Sequence, residues 1–206
     1  REISDLQGAI DRLGINYTSS LAIGLAMEQM FQATNEAVDR VLRKVWMRST
    51  EIAAISQVLC RHFTRLQPEQ AILAGLVHQI GALPVLAYAE ESELLLGDTA
   101  SLEHVIERLH PQLGERILRA WEFPEAIAIV PMQMLDFARD SSAVDYVDIV
   151  QVAVLQSHVG TRHPLTELDW SKIPAFAKLG LSPQIDIQSD QDLNGSLRAA
   201  MSMLQQ

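Results

Sequence analysis

The sequence predicts an all-α protein, built as a single bundle of many helices. Apolar residues recur at spacings of three and four along most of the 206-residue chain, which is the periodicity of one helix face. Alternating strand-like segments joined by Asn-Gly or Asp-Gly turns do not occur. No internal repeat, low-complexity tract or inter-domain linker interrupts the pattern, so residues 1–206 are expected to form one domain.

Turn residues and prolines divide this periodicity into helices. Pro68 suits the first turn of a helix, where its missing N–H costs little, and residues 97–101 form a turn and N-cap. Pro84 is expected to bend or end its helix, and Pro131 to kink another. A loop is expected over 161–170. The expected helices cover about 3–13, 18–33, 36–65, 69–89, 102–121, 124–139, 143–160, 172–179 and 189–205.

The helix over 69–89 is apolar on nearly every side, which is typical of a helix in the middle of a bundle. It nevertheless contains two adjacent polar residues, His78 and Gln79. Polar groups in such surroundings need hydrogen-bond partners. A single core histidine is more often a hydrogen-bonded structural residue than a ligand, and both interpretations stay open here.

Arg48 occupies the centre of an apolar helix face. That face consists of Val41, Val45, Ile52, Ile55 and Leu59. An isolated buried charge is costly, so the guanidinium either reaches solvent, pairs with one carboxylate, or lies in a polar pocket. Periodicity does not decide among these.

Composition excludes several classes of protein. The chain has 26 acidic and 16 basic side chains, a formal charge of −10, which repels phosphate backbones and argues against nucleic-acid binding. One cysteine, Cys60, excludes an intramolecular disulfide and suits a reducing cytosol. We see no secretory signal and no uninterrupted apolar run of about 18 residues, so we expect a cytoplasmic protein that does not span a membrane.

Four stretches, in order and in spacing, resemble the motifs of HDOD domains. Residues 73–83, LAGLVHQIGAL, are similar to the family's LAGLLHDIGKL, and residues 6–14, LQGAIDRLG, to its L-x-x-A-I-x-x-L-G. Residues 46–49, WMRS, resemble W-x-H-S, and residues 110–124 resemble the family's element of His, Gly, Leu, Trp and Pro, with His110, Gly114, Leu118, Trp121 and Pro124. The match covers about 3–180, leaving 181–206 as a helical tail, and the helices that usually precede the first motif are expected to be absent.

This resemblance implies a helical fold related to HD-type phosphohydrolases, in which histidines and aspartates hold one or two metal ions. Such ions lower the pKa of bound water and stabilise phosphoryl charge. At the family's ligand positions this chain has Arg48 for the first histidine, Gln79 for the aspartate of the dyad, and Val154 for the late aspartate. The paired histidines are missing near 132–135, so only His78 and His110 are left.

We therefore expect a vestigial pocket formed by Arg48, His78, Gln79 and His110, with no metal, no cofactor and no catalytic residue. Arg48 is expected to hydrogen-bond the carbonyl of Gln79 or an acidic neighbour. The other histidines are expected to be solvated or structural: His62, His104, His158 and His163. A solvated acidic surface, rather than a cation site, is expected from Asp136, Asp140, Asp145 and Asp148.

Three functions are compatible with this pattern. The leading hypothesis is a non-catalytic regulatory or interaction module of bacterial signal transduction, with receiver, histidine kinase or cyclic di-GMP enzyme domains as partners and with possible homo-oligomers. The second is a metal-dependent phosphohydrolase with a rearranged ligand set that includes His78 and His110. The third is a sensor that binds an anion or nucleotide in the vacated pocket.

Overall fold

The computed structural model describes residues 14, 18–19, 22–23, 25–26, 29, 33–92, 98–187 and 189–204. No β-strand occurs in this part, and the all-α prediction is confirmed. The predicted helix over 3–13 lies outside the described residues. The α-helices are α1 Glu36–Phe63, α2 Pro68–Val77, α3 Ala82–Glu90, α4 Thr99–Ala120, α5 Glu125–Ala128, α6 Val130–Gln133, α7 Tyr146–Gln156, α8 Pro174–Leu179 and α9 Gln191–Leu204. Two short 3-10 helices, Pro164–Glu167 and Trp170–Lys172, precede α8.

Helix α2 lies against α1 at the centre of the bundle. Every residue from Ala71 to Val77 is buried. A Cβ atom on Gly75 would lie 2.4 Å from the Cα of Ala53, so the two helix backbones approach more closely than any other residue permits. This contact gives a packing reason for the glycine in the LAGL motif.

The predicted helix over 69–89 is interrupted earlier than its proline suggests. Helix α2 ends at Val77, a turn covers 78–81, and α3 begins at Ala82, so Pro84 lies in the first turn of α3. A Cβ atom on Gly81 would lie 2.1 Å from the carbonyl oxygen of His110 and 2.5 Å from the nitrogen of Gly114. The break therefore coincides with a backbone contact between the turn and α4, and Pro84 does not cause it.

By length and composition, the stretch Pro68–Glu90 could span a membrane, since an 18-residue window within it has a mean hydropathy of 1.6. No uninterrupted apolar run of this length was expected from the sequence, and the polar residues His78 and Gln79 lie inside this one. In the structure 78% of that window is buried inside the protein. That burial is the pattern of a core helix in a bundle.

Two predicted helix boundaries were wrong. The helix expected over 124–139 is replaced by the short helices α5 and α6, with Pro131 in the first turn of α6. The helix expected over 143–160 is shorter because Asp145 caps the N-terminus of α7, where it and Asp148 form a capping box.

The acidic connection before α7 is not the solvated surface that the sequence predicts. Asp136 and Asp140 are exposed, but the Asp148 side chain is 0% exposed. It accepts hydrogen bonds from Lys178 Nζ at 2.6 Å and Arg139 at 3.4 Å. Arg139 also pairs with Asp145 at 2.5 Å. We call Arg139, Ser141, Asp145, Asp148 and Lys178 the Asp148 cluster.

Candidate functional site

The candidate site lies where α1, the 78–81 turn, α4 and the segment after α7 meet. Arg48 comes from α1, His78 and Gln79 from the turn, and His110 from α4. Two further histidines, His158 and His163, come from the segment that follows α7. We call Arg48, Glu51, His158 and His163 the Arg48 cluster, with His78 and His110 beside it.

Arg48 is neither fully buried nor free in solvent, since its side chain is 24% exposed. It donates a hydrogen bond to His158 Nε2 and forms an ion pair with Glu51, with 3.5 Å between the nitrogen and the carboxylate oxygen. Of the two partners expected from the sequence, the acidic neighbour is thus present. The backbone carbonyl of Gln79 instead accepts a hydrogen bond from the N–H of Ala82 at 2.8 Å.

Burial acts on both partners of this ion pair. It lowers the pKa of Arg48 and raises the pKa of Glu51, and in each case the attraction between the two groups opposes that shift. Arg48 and Glu51 therefore form an ion pair that is partly shielded from water, with a long distance between the charged groups.

The contact with Arg48 defines the protonation of His158. A guanidinium can only donate, so Nε2 is the acceptor and the ring proton lies on Nδ1. Burial, and then the positive charge of Arg48, lower the pKa of His158 to about 4. Its ring stacks on that of His163, with ring centroids 3.7 Å apart and an angle of 17° between the planes. His158 is therefore a neutral imidazole at neutral pH.

Sequence reasoning missed the meeting of Arg48 with His158 and His163. The hydrogen-bonded residues Arg48 and His158 are 110 positions apart, and His158 and His163 do not share a helix face. No local pattern connects them. The expectation that His104 is exposed agrees with the structure.

His78 is oriented by the backbone of its own helix end. Its Nδ1 lies 2.6 Å from the carbonyl oxygen of Gly75, and a carbonyl can only accept, so Nδ1 carries the proton. Burial lowers the pKa of His78 to about 3, so the ring is neutral and Nε2 presents a lone pair. Histidines that bind metals are commonly held by such a second bond to a carbonyl group.

His110 is the least satisfied member of the site. It is 3% exposed, and its Nδ1 has no hydrogen-bond partner among the described residues. Burial lowers the pKa of His110 to about 4. A positive charge on His110 or on Arg48 contributes to lowering the pKa of His78, so each of these two groups lies within electrostatic reach of His78.

The side chains present do not match the donor set of an HD-type metal centre. That centre needs a negatively charged oxygen beside neutral imidazoles, but at the family's ligand positions this chain has the uncharged amide of Gln79 and the cation of Arg48. The carboxylate of the cluster, Glu51, pairs with Arg48 instead. Val154 is buried and apolar, and Met132 and Leu135 are exposed. Within the described ranges, no group of three or more His, Cys, Asp or Glu side chains is arranged to hold a metal ion.

Comparison with known proteins supports the resemblance carried by the four motifs. A family model described as HDOD domain matches residues 1–132. The chain is also similar to a solved structure from Shewanella amazonensis SB2B, provisionally named as a metal-dependent phosphohydrolase. The two share 28% identity and superpose with a TM-score of 0.78, covering 98% of this chain and 74% of that one. The predicted HD-like helical fold is confirmed. No curated protein matches the chain.

Proposed function

Because this chain belongs to the HDOD domain family and has Arg48 and Gln79 at two of its ligand positions, we propose that it is a non-catalytic regulatory module of bacterial signal transduction. The family and the HD-like fold follow from the similarity to known proteins. The loss of catalysis and the regulatory role are inferred from the residues at the site.

The observation that carries the proposal is the position of the Arg48 guanidinium. It bonds His158, and its charge reaches both His158 and His78. Two like unit charges ~4 Å apart repel by about 4 kcal/mol at an effective dielectric constant of ~20, and a divalent ion doubles that figure. A metal ion held by His78 would meet this repulsion without a carboxylate at position 79 to offset it.

The partners that fit this proposal are receiver, histidine kinase or cyclic di-GMP enzyme domains in the cytoplasm of a bacterium. Trp121 and Met132 offer exposed side chains for a contact, since they are 45% and 43% exposed. Aromatic residues and methionine are enriched in the cores of protein interfaces. A second copy of the chain is a further candidate partner.

Metal analysis combined with activity assays tests the loss of catalysis. The purified chain is incubated with Mn²⁺, Fe²⁺ or Ni²⁺, desalted, and analysed for bound metal and for hydrolysis of nucleotides and cyclic dinucleotides. We expect substoichiometric metal and no turnover. The double variant Arg48→His with Gln79→Asp should gain stoichiometric metal, whereas the matched control Arg43→His with Gln79→Asp should not, because Arg43 is exposed on the other side of α1.

One observation favours the phosphohydrolase alternative. His78 keeps the orientation of a metal ligand, with Nδ1 bonded to Gly75 and Nε2 free to coordinate. Stoichiometric metal in the unmodified chain, together with turnover that His78→Ala abolishes, would establish that alternative and overturn the proposal.

A further inference from the structure

We propose that the Arg48 cluster binds a small oxyanion, a phosphate or carboxylate group, which it holds without hydrolysing. This inference rests on the proposed function, because it requires a site without metal. The ligand would lie between the Arg48 guanidinium and the ring N–H group of His163. The bound oxyanion would be the signal that the regulatory module detects.

The first support is the number of unused donors on Arg48. A guanidinium has five N–H groups in a planar fork that matches the two oxygens of a carboxylate or phosphate. Among the described residues one of these groups bonds His158, and the contact with Glu51 is long, at 3.5 Å. The side chain is 24% exposed, so the remaining donors are partly desolvated yet reachable from solvent.

The second support is the tautomeric state of His163. It accepts the backbone N–H of Leu165 through Nδ1 at 3.3 Å and therefore carries its proton on Nε2. Its ring stacks on that of His158 at 3.7 Å, and His158 bonds Arg48, so the N–H of His163 is a ring donor of the same cluster. The N–H of His158 lies on Nδ1, on the ring edge that faces away from the guanidinium.

The third support is His110, whose buried Nδ1 has no partner in the described part of the chain. Buried polar atoms are nearly always hydrogen-bonded to protein, water or ligand, and an exception calls for an explanation. His110 lies within electrostatic reach of His78, which in turn senses Arg48. A polar occupant of this region would satisfy it.

The local charges permit an anion although the whole chain is acidic. The groups that face the cluster are Glu51 on α1, His78 on the turn, and Glu107 and His110 on α4. Glu51 is the carboxylate beside the guanidinium, at 3.5 Å, and it is the group with which an oxyanion would compete for Arg48. Charges elsewhere are screened beyond about 8 Å at physiological ionic strength.

Anion binding should be coupled to protonation. At present Arg48 helps to lower the pKa of both His158 and His163, after burial in each case. A bound anion would offset that repulsion and raise both pKa values, so binding takes up protons. Sulfate keeps its charge between pH 5 and pH 8, and its affinity should therefore rise as the pH falls.

Histidine-ring NMR during titration with sulfate, phosphate or acetate, at constant ionic strength with chloride, tests this inference. We expect saturable shifts of His158 and His163, and no shift of the exposed His104. Arg48→Met should weaken binding about tenfold or more, the effect of losing a charge-assisted hydrogen bond. Arg43→Met, which removes an exposed arginine of the same helix, should leave the affinity unchanged.

The three anions distinguish the sources of the ligand chemistry. Saturation by phosphate and sulfate alone indicates a phosphate group, and saturation by acetate as well indicates any carboxylate. No saturable shift with any of them, or equal affinity in the Arg48→Met protein, overturns the inference. Arg48→Lys keeps the charge without the fork and should bind with intermediate affinity, which guards against misfolding of Arg48→Met.

These measurements separate the inference from the proposed function. They use protein without metal and involve no turnover, so a failure of anion binding leaves a non-catalytic interaction module intact. Metal-dependent turnover would instead overturn both.

Discussion

The Asp148 cluster and the Arg48 cluster are two partly buried groups of charged side chains, and they are built in opposite ways. Asp148 is 0% exposed and lies between two cations, with Lys178 at 2.6 Å and Arg139 at 3.4 Å. Arg48 is 24% exposed, has one hydrogen bond to a neutral histidine, and pairs with Glu51 at 3.5 Å. The first cluster is satisfied within the protein, and the second leaves donors unused. We therefore attribute a stabilising role to the Asp148 cluster and ligand binding to the Arg48 cluster.

The structural elements around the two clusters also differ. Asp148 belongs to the first turn of α7 and connects that turn to α8 through Lys178. His78 and His110, beside the Arg48 cluster, come from the 78–81 turn and from α4, and these two elements are in close contact where Gly81 touches the backbone of His110. A rigid frame with unsatisfied polar groups is typical of a binding site.

The largest effect is expected from Asp148→Asn. It leaves the nearly buried ammonium of Lys178 without a counter-charge, and removing one partner of a buried pair costs about 3 kcal/mol or more of the free energy of unfolding. Urea denaturation measures this loss. The control Asp140→Asn changes an exposed aspartate of the same connection and should cost less than about 0.5 kcal/mol. If both variants lost the same free energy of unfolding, the Asp148 cluster would not be a stabilising buried pair.

The frame around the histidines is tested by Gly81→Ala. The new methyl group would lie 2.1 Å from the carbonyl oxygen of His110, so the turn must move, at a cost of roughly 2 kcal/mol. The ring signals of His78 and His110 should shift as well. In the control Gly195→Ala, the added methyl meets nothing within 4 Å in α9, and the better helix propensity should stabilise by up to about 1 kcal/mol. A Gly81→Ala protein as stable as the wild type would show that the contact is not tight.

The pH dependence of stability tests the burial of His78. Burial lowers its pKa to about 3, below the ordinary value of 6.5, so between these values the unfolded chain binds more protons than the folded chain. The stability that neutral His78 contributes is thus complete above pH 6.5 and is lost as the pH falls towards 3. We expect a slope of roughly 1 kcal/mol per pH unit from this group in urea denaturation.

The matched variants for this slope are His78→Asn and His104→Asn. The first should flatten the pH profile, because the asparagine does not titrate. The second replaces an exposed histidine and should leave the profile parallel to that of the wild type. Parallel profiles for all three proteins would mean that His78 is not desolvated.

The smallest effect on stability is expected from Arg48→Met. The arginine is partly exposed and loosely paired, so its loss should change the free energy of unfolding by less than about 1 kcal/mol. The pKa of His158 should rise, because the repulsion by Arg48 disappears while burial persists. An NMR pH titration of the histidine rings measures this. A loss of stability as large as that of Asp148→Asn would make Arg48 structural and erase the comparison.

Much of the fold could be predicted because its signals are local. Helical periodicity, Pro68 at a first turn and Asp98 before α4 predict the helices within a few residues, and Asp98 does accept the N–H of Ala100. The four motifs predict the family. Two glycines of the 73–83 motif, Gly75 and Gly81, lie where two backbone segments touch, which explains why glycine is needed there. The sequence predicts a bend or end at Pro84 and does not predict the break at 78–81, because the contact of Gly81 with α4 is remote in sequence.

The sequence by itself determined that the chain is helical, which family it resembles, and that Arg48 and Gln79 depart from a metal-ligand set. Only the tertiary structure decided where the charges are satisfied. It buried Asp148 between Arg139 and Lys178, and it brought Arg48 to His158 across 110 positions of the chain. The physical reason is that periodicity reports which face of a helix is buried, whereas a hydrogen bond or an ion pair depends on which distant element packs against that face.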